Sequence, residues 1–339
     1  MENIDWKSLP FAYFKTDYNV RCYHRNGKWG KIETSSSEYI NIHMAATCLH
    51  YGQEAFEGMK AFWGEDGKIR IFRWEENAKR MQRSADGIMM AEVPSEIFKK
   101  SIVKAIRLNT KHIPPFGEGA ALYLRPLLIG SGPQVGVKPA DEYLFLVFVS
   151  PVGPYFKEGF SPVKVQISRD YDRAAPRGTG SIKVGGNYAA GMKAGKRAHD
   201  EGFATMLFLD SKEQKYLDEA GPANFFAIKG NTYVTPKSDS ILPSITNMSL
   251  MTLAEDMGYK VERRPITVDE LSEFDEVGAC GTAAVISPIK LINDRDTGKN
   301  YEYCKDGKAG SVSTKLYNRL KAIQEGTAED KFGWNYIVE

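Results

Sequence analysis

The sequence predicts an α+β protein of two domains, and three observations lead to this interpretation. The chain has 339 residues, which is enough for two domains or one large one with a sizeable core. Strand and helix patterns follow one another without regular βαβ alternation, which favours mixed sheets with flanking helices. The segment 151–162 is rich in proline and glycine, as linkers are. We therefore expect a small N-terminal α/β domain at 1–152, an interdomain loop at 153–163 and a large C-terminal domain at 164–339.

The elements of the first domain are indicated by their hydrophobic periodicity and by the turn residues between them. Alternating or continuously apolar segments bounded by Gly, Asp or Pro predict strands at 39–44, 54–63, 68–72, 121–130 and 143–150. Helical spacing predicts helices at 75–88 and 94–112, and Pro94 stands near the start of the second, where proline is tolerated.

The second domain shows the same mixture. Strands are predicted at 163–168, 204–210, 224–228 and 231–235, and helices at about 188–200, 244–257, 267–273 and 311–325. Ser244 is a candidate N-cap, Gly258 a stop signal, and Thr267 with Glu270 a capping box.

Composition excludes several classes of function. The formal net charge is +2 and no long basic block occurs, which argues against a nucleic-acid binder. No apolar segment approaches the ~20 residues that span a bilayer, and the N-terminus lacks the pattern of a signal peptide. No pair of cysteines has CxxC spacing, so no metal site is predicted and reduced thiols of a cytoplasmic protein are expected. The four cysteines are Cys22, Cys48, Cys280 and Cys304.

Lys183 lies in an unusual setting, the stretch "TGSIKVGGNYAAGMKAG" at 179–195. A lysine that forms a Schiff base must lose its proton from a pKa of about 10.4, which requires partial desolvation. Gly185 and Gly186 would let the chain approach a bulky cofactor, and Tyr188 offers a phenol. The stretch also fits a glycine-rich loop with a surface lysine, which is the commoner case.

Two further charged residues stand in apolar surroundings. Glu219, in "YLDEAGPANFFAI", could hold a ring nitrogen protonated or could be a solvated loop residue. Arg125 interrupts the apolar strand "LYLRPLLIG", and a buried guanidinium needs an anion. That anion could be a structural carboxylate or the carboxylate of a substrate.

Two segments have the character of anion-binding backbone. In "VGACGTAAVISP" (277–288), Gly281 and Thr282 form a small-residue turn between apolar strands. In "ILPSITNMS" (241–249), a helix begins after a proline, and helix N-termini bind phosphate. Each signal is weak by itself.

Taken together, five ordered strings resemble the branched-chain amino acid aminotransferases, which are fold-type IV pyridoxal-phosphate enzymes. They are "YGQEAFEGMKAF", "LYLRPLLIGSGPQVGV", "KVGGNYAAG", "DEAGPANFF" and "CGTAAVISP", and the resemblance runs from about residue 35 to the C-terminus. It implies transamination between leucine, isoleucine or valine and 2-oxoglutarate, which gives branched-chain 2-oxo acids and L-glutamate. It also implies a cytoplasmic homodimer that uses pyridoxal 5'-phosphate, held by the C-terminal domain.

The resemblance assigns the cofactor-binding residues one by one. It implies that Lys183 forms the Schiff base and is the catalytic base, that Tyr188 hydrogen-bonds the phenolic oxygen, and that Glu219 pairs with the pyridine nitrogen. Leu242 would pack on the ring. The phosphate would be held by Arg80, Ile245, Thr246 and Thr282, with Arg173 as a more distant contact.

The same resemblance assigns the substrate pocket. It implies that Arg125 and Tyr123 read a distal carboxylate, and that Thr282 and Ala283 bind the α-carboxylate. Tyr51, Phe56 and Tyr155 would form aromatic walls. Val135 and Val137, in "PQVGV", would lie on a loop that reaches the partner subunit's site.

Some features of the sequence keep other interpretations open. Pro222 follows Gly221 where some relatives carry a hydroxyl residue, which puts one contact behind the cofactor in doubt. D-amino-acid aminotransferase and aminodeoxychorismate lyase share the lysine and the glutamate, although "FEGMKAF" and "LYLRP" favour the branched-chain enzymes. A non-catalytic binding protein with a degenerate site is the rival from a different class, and the presence of Lys183, Tyr188, Glu219 and Arg80 together argues against it.

Overall fold

The computed structural model describes residues 4–153, 160–167 and 169–339. These residues belong to two units, each with its own sheet. Unit 1 comprises Met1–Lys157, Ile182–Gly185 and Ala322–Glu339, and unit 2 comprises Glu158–Ser181 and Gly186–Lys321.

Strands and helices alternate irregularly along the described residues. The strands are β1 (Asn19–Arg25), β2 (Lys28–Ser35), β3 (Glu54–Phe56), β4 (Met59–Trp63), β5 (Ile69–Phe72), β6 (Ala121–Gly130), β7 (Tyr143–Val152), β8 (Val163–Ile167), β9 (Thr205–Leu209), β10 (Leu217–Ala220), β11 (Ala223–Lys229), β12 (Thr232–Pro236), β13 (Lys260–Arg264), β14 (Glu276–Gly281), β15 (Val285–Asp294), β16 (Asn300–Glu302) and β17 (Asn335–Val338). The helices are α1 (Thr47–His50), α2 (Trp74–Gly87), α3 (Ser95–Leu108), α4 (Gly185–Asp200), α5 (Ile245–Asp256) and α6 (Ser311–Glu325). Short 3-10 helices span Trp6–Ser8, Thr110–His112 and Asp269–Glu273.

Unit 1 is built on an eight-stranded antiparallel sheet. The strand order is β17-β5-β4-β6-β7-β1-β2, and β3 pairs with β6. Helices α2 and α3 contribute Met81, Ile102 and Ile106 to a core that also contains Leu124 and Phe145 from the sheet. Burial of these apolar side chains is the main source of stability for the unit.

Strand β6 decides which face of this sheet is available for chemistry. Leu122, Leu124 and Leu128 are fully buried on the helix side, whereas Tyr123 and Arg125 are half-buried on the opposite face. Successive side chains of a strand point to opposite faces, so the alternation follows from the sequence "LYLRPLL".

Unit 2 is built on a nine-stranded mixed sheet. The order is β10-β9-β8-β15-β14-β11-β12-β13, β16 pairs with β15, and β10 also pairs with β11. The second pairing of β10 closes six strands into a ring, and a closed ring leaves no free edges among those strands. Its core contains Leu207, Phe225, Ile289 and Ile292.

The structure corrects the sequence-based prediction at several elements. Residues 39–44 form no strand, and Ile40 and Ile42 instead pack singly against the cluster that contains Leu144 and Leu146. The predicted helix at 267–273 is only a 3-10 helix, and the predicted capping box is incomplete. The Thr267 N–H donates to Glu270 Oε1 at 2.9 Å, but the Thr267 hydroxyl donates to the same carboxylate and does not cap the helix. An alternation of apolar residues therefore indicates one buried face but does not guarantee a pairing strand.

Element boundaries also differ from the predictions. Helix α3 ends at Leu108 and a separate 3-10 helix follows, while α4 begins at Gly185, three residues earlier than expected. Strands β1 and β2 were not predicted, and β17 brings the C-terminus back to the sheet of unit 1. Within the described residues, no helix combines the length and apolar character needed to cross a membrane.

Candidate active site

The main chain around Lys183 is held in place by unit 1. The Lys183 N–H donates to Ser84 Oγ at 2.9 Å, and the Lys183 carbonyl accepts from the Phe56 N–H at 3.1 Å. Val184 forms a bridge with Ala55 of β3. The half-buried Lys183 side chain places Nζ 4.7 Å from the centroid of the Phe56 ring. Movement of the amine is therefore left to the side chain rather than to the backbone.

Gly185 explains why this lysine is followed by glycine. A Cβ at Gly185 would lie 1.8 Å from Glu54 Oε1, so any larger residue would displace that carboxylate. The Gly185 N–H donates to the same carboxylate. Gly185 and Gly186 are the first residues of α4, so the segment with Lys183 leads directly into a helix, and Tyr188 lies half-buried one turn on.

Arg125 occupies the open face of β6 between two aromatic rings. Its guanidinium carbon lies 4.8 Å from the centroid of Phe56 and 5.3 Å from that of Tyr123, and Nη2 donates to the Tyr123 hydroxyl at 3.1 Å. Arg125 Nε is buried without a hydrogen-bond partner in the described part of the chain. Among the described residues no carboxylate lies within ion-pair distance of it, so none of them forms a structural ion pair with Arg125.

The remaining residues expected in the substrate pocket are more exposed. Tyr51 is 40% exposed, and its hydroxyl donates to the carbonyl of Val135 in the same chain. Val135 and Val137 are each 87% exposed. Tyr155 lies outside the described residues.

Arg80 is buried in unit 1 and bound by a carboxylate that sequence reasoning missed. Its Nε and Nη2 donate to Glu57 Oε1 and Oε2 at 2.7 and 2.8 Å, and Asn77 Nδ2 donates to Glu57 Oε2 at 2.7 Å. Arg80 is 4% exposed and Glu57 is fully buried. Two of the five guanidinium N–H groups are thus committed to Glu57, and at most three serve other acceptors. The glutamate of "FEGMKAF" was the available signal for this pair.

In unit 2, Glu219 is a buried strand residue, so the alternative of a solvated loop glutamate is wrong. It is 2% exposed on β10, accepts from the Leu242 N–H at 2.6 Å, and lies 3.3 Å from Arg173 Nη2. The two-residue turn between β10 and β11 fixes its register, and Gly221 adopts the positive φ of 59° in that turn.

Leu242 is held from both sides of its peptide. Its N–H donates to Glu219, and its carbonyl accepts from Asn224 Nδ2 at 3.0 Å. The Leu242 side chain is only 7% exposed. Asn224 was not identified from the sequence, because its role depends on a partner 18 residues away.

A second buried carboxylate lies next to Glu219. Asp218 is 2% exposed, and Ser240 Oγ donates to its Oδ2 at 2.6 Å. Burial raises the pKa of Asp218 above its ordinary value, against the opposing effects of Ser240 and Arg173. Arg173 also donates to the carbonyls of Gly180 and Ser240, so it joins the two carboxylates into one network.

Two backbone segments of unit 2 have the local structure expected from the sequence, a helix N-terminus and a turn between two strands. Helix α5 begins at Ile245 and Thr246, and Ser244 caps it by accepting from the Asn247 N–H at 3.2 Å. The first N–H groups of a helix have no intrahelical acceptor, so they attract anions. The turn that contains Thr282 and Ala283 joins β14 to β15.

The end of that turn is strained. Val285, the residue that pairs with Gly281, adopts a φ of +65°. Positive φ is rare for a β-branched residue, and such strain occurs often at binding and catalytic sites.

The fold and these residues define the class of protein. The family model described as amino-transferase class IV matches residues 54–292. The chain belongs to this family.

Similarity to individual proteins of the family narrows the class further. The chain is 45% identical to a branched-chain-amino-acid aminotransferase of Haemophilus influenzae, over 100% of both chains. The structure of a branched-chain amino acid aminotransferase from Escherichia coli is similar with a TM-score of 0.81 and 26% identity, covering 96% of this chain and 100% of that one. The holo-form of a branched-chain amino acid aminotransferase from Thermobaculum terrenum, with PLP, gives a TM-score of 0.79 and 25% identity, with coverage of 96% and 99%.

Class IV aminotransferases use pyridoxal phosphate, and the donor set of this chain fits that group. A protonated pyridine nitrogen needs a buried carboxylate, which Glu219 provides. A phosphate needs N–H donors, which the start of α5 in unit 2 provides. The aldehyde needs an amine, which the half-buried Lys183 provides.

Proposed function

We propose that this chain transfers amino groups between the branched-chain L-amino acids leucine, isoleucine and valine and 2-oxoglutarate, with pyridoxal 5'-phosphate as cofactor. The products are branched-chain 2-oxo acids and L-glutamate. The full-length similarity to branched-chain-amino-acid aminotransferases supports the reaction. The observation that carries the choice of substrates is Arg125, a cation between aromatic rings that has no carboxylate partner among the described residues.

In this proposal the cofactor is held by the residues that the resemblance assigned to it. Lys183 attaches it, and Arg80, Ile245, Thr246 and Thr282 bind its phosphate. Tyr188 donates to its phenolic oxygen, Leu242 packs on the ring, and Glu219 pairs with the pyridine nitrogen. The contacts that hold Lys183, Leu242 and Glu219 in place support these roles.

The chemistry divides between the cofactor and the chain. When bound, pyridoxal phosphate supplies an electron sink. It takes up the electron pair that remains when the substrate Cα loses its proton. In this proposal Lys183 Nζ would accept that proton and later give one back, as a positioned amine can. Glu219 keeps a proton on the ring nitrogen, and the Leu242 N–H holds the carboxylate in position for this.

The two half-reactions need a pocket that binds both an apolar side chain and a second carboxylate. Tyr51, Phe56 and Tyr155 supply apolar aromatic surface for an isobutyl or sec-butyl side chain. Arg125 with the Tyr123 hydroxyl binds the second carboxylate of glutamate or 2-oxoglutarate. The turn at Thr282 and Ala283 binds the α-carboxylate that both substrates share.

We propose further that the enzyme is a cytoplasmic homodimer in which Val135 and Val137 reach the partner subunit's site. The 87% exposure of each valine supports this, because exposed apolar residues on one loop indicate an interaction surface. The domains are proposed at 1–152 and 164–339, with the loop 153–163 between them, although Ile182–Gly185 and Ala322–Glu339 belong to unit 1.

Substrate specificity is the direct test of the proposed function. We expect L-leucine with 2-oxoglutarate to be converted rapidly and D-alanine to be a poor donor, measured as steady-state kcat/KM. We also expect the purified protein to show the visible absorption band of the bound cofactor. Faster turnover of D-alanine would favour the D-amino-acid enzyme, and a colourless, inactive protein would favour a binding protein.

The Arg125→Met variant tests the proposed dual recognition. Loss of a charge-assisted contact should slow the glutamate half-reaction by about 30- to 1000-fold and nearly spare leucine, which has no distal charge. Single-turnover rates with each amino acid measure this difference. Equal losses for both amino acids, or loss of bound cofactor, would assign Arg125 a structural role instead.

A further inference from the structure

Glu54 shares the open face of the unit 1 sheet with the residues proposed to bind substrate. In the pairing of β3 with β6, Glu54 lies opposite Ile129 and Phe56 lies opposite Leu127. Side chains two residues apart on a strand point the same way, so Glu54 and Phe56 share one face with Leu127 and Arg125. Glu54 was not identified as functional from the sequence.

The Glu54 carboxylate has no ion-pair partner among the described residues. It accepts from the Gly185 N–H, and a Cβ at Gly185 would lie only 1.8 Å from Oε1. Burial raises the pKa of Glu54, while the Gly185 N–H and the charge of Arg125 lower it. Both residues neighbour Phe56: Glu54 lies two residues before it on β3, and the Arg125 guanidinium carbon lies 4.8 Å from its ring centroid.

We propose that Glu54 is a specificity-determining residue, whose carboxylate weakens the binding of a substrate's second carboxylate at Arg125 and leaves uncharged side chains unaffected. This inference rests on the proposed function, because it takes Arg125 as the group that binds the second carboxylate.

The physical argument is competition for one cation. A dicarboxylate at Arg125 brings a second anion into the half-buried surroundings of Glu54, where charges interact more strongly than in water. A leucine side chain adds no charge and experiences no such repulsion. Lys60, opposite Tyr123 on β4, and Lys183 also lie on this face, and the registers place Arg21 and Arg70 there as well. None of these charges is altered when Glu54 is replaced.

The contact of Glu54 with Gly185 would also fit a purely structural role for Glu54. By accepting from Gly185 it fixes the chain two residues after Lys183, and a disruption there would affect every substrate alike. A glutamine at this position keeps an oxygen acceptor for the Gly185 N–H and removes only the charge. The ratio of the dissociation constants of a dicarboxylate and a monocarboxylate therefore distinguishes the structural role from the role in specificity.

The experiment measures the dissociation constants of glutarate and 4-methylvalerate for the holoenzyme by calorimetry. We expect Glu54→Gln to lower the dissociation constant of glutarate about three- to tenfold relative to that of 4-methylvalerate. Glu54→Ser removes the same charge with a smaller side chain and should give the same direction, which also covers a failure of the glutamine variant to fold. Glu65→Gln, which removes a charge from an exposed turn of the same unit, should change neither constant.

The same measurements in an Arg125→Met background show whether the effect passes through Arg125. There we expect Glu54→Gln to leave the ratio of the two constants unchanged. The inference would be overturned if neither Glu54→Gln nor Glu54→Ser changed the ratio of the two dissociation constants in the wild-type background. It would also be overturned if Glu54→Gln changed this ratio equally with and without Arg125. Failure of the proposed function would appear differently, as absent leucine turnover in the wild-type enzyme.

Discussion

At the scale of single residues, the proposed chemistry depends on side chains whose backbone is fixed by other parts of the same unit. Lys183 is held by Ser84 and Phe56, and the next residue, Val184, forms a bridge with Ala55. All three partners lie far away in the sequence. Such support keeps a reacting atom close to one position, and small displacements of reacting groups lower catalytic rates strongly.

Lys183 is expected to be the residue that carries the cofactor. Reduction of the holoenzyme with borohydride, followed by proteolysis and peptide mapping, should place the pyridoxyl group on the peptide that contains Lys183. Lys183→Ala should lose this label and about three orders of magnitude of activity or more, because the proton acceptor is removed as well. A label on any other lysine would contradict the assignment.

Glu219→Gln is expected to bind the cofactor but to lose most activity. A neutral amide cannot hold the ring nitrogen protonated, and a hydrogen bond to a charged group contributes about 1.5–3 kcal/mol, or roughly 10- to 150-fold in rate. Steady-state kcat with L-leucine measures the loss, and the absorption spectrum reports cofactor content. Glu255→Gln on the exposed side of α5 is the matched control. Activity within about twofold of wild type would rule the role out.

At the scale of elements, β10 places two carboxylates in the interior of unit 2. All four of its residues are buried, including Asp218 and Glu219. Buried carboxylates need hydrogen bonds or counter-charges, and Ser240, Leu242 and Arg173 supply them. The segment after β12, which contains Ser240 and Leu242, and strand β10 therefore stabilise each other.

Asp218 should make the stability of the protein depend on pH. Its folded-state pKa is raised by burial, so the folded state binds the proton more tightly than the unfolded state does. The contribution is fully present below the unfolded pKa of about 3.9 and is lost as pH rises through the folded pKa.

Asp218→Asn should remove this dependence. We expect the free energy of unfolding of the wild type, relative to the variant, to fall as pH rises from about 4 towards neutrality. Urea denaturation at a series of pH values measures it, and Asp269→Asn on an exposed 3-10 helix serves as control. A difference that is constant with pH, or that grows as pH rises, would contradict the expectation.

At the scale of the whole molecule, the chain returns at its end to the unit where it began. Strand β17 pairs with β5 over four residues, and Tyr336 and Val338 pack against the core of unit 1. The Arg107 guanidinium donates to the Glu339 carbonyl. The C-terminal strand is thus part of the sheet that carries Phe56, Tyr123 and Arg125.

Removal of residues 335–339 should therefore destabilise unit 1. Loss of the apolar contacts of Tyr336 and Val338 is expected to lower the free energy of unfolding by about 2–4 kcal/mol, and β5 would become an exposed edge. Urea denaturation followed by circular dichroism measures the change, and Glu329→Ala in the exposed segment before the strand is the control. Unfolding at the wild-type urea concentration would show that β17 contributes little.

The sequence by itself determined the features that depend on neighbouring residues. Helical periodicity located α2, α5 and α6, and the cap at Ser244 is present as expected. The apolar pattern of β6 located Arg125 on the face opposite to Leu122, Leu124 and Leu128. Five ordered motifs indicated the family, since each motif combines backbone requirements with chemistry within a few residues.

Only the tertiary structure decided the features that depend on contacts between distant segments. Strands β1 and β2 and the apparent strand at 39–44 could not be judged locally, because pairing requires a partner elsewhere in the chain. The same holds for Glu57 beside Arg80, Asp218 beside Ser240, and Glu54 beside Gly185. A carboxylate looks alike in any sequence, and its burial and its partners, which set its charge and its role, exist only after the chain has folded.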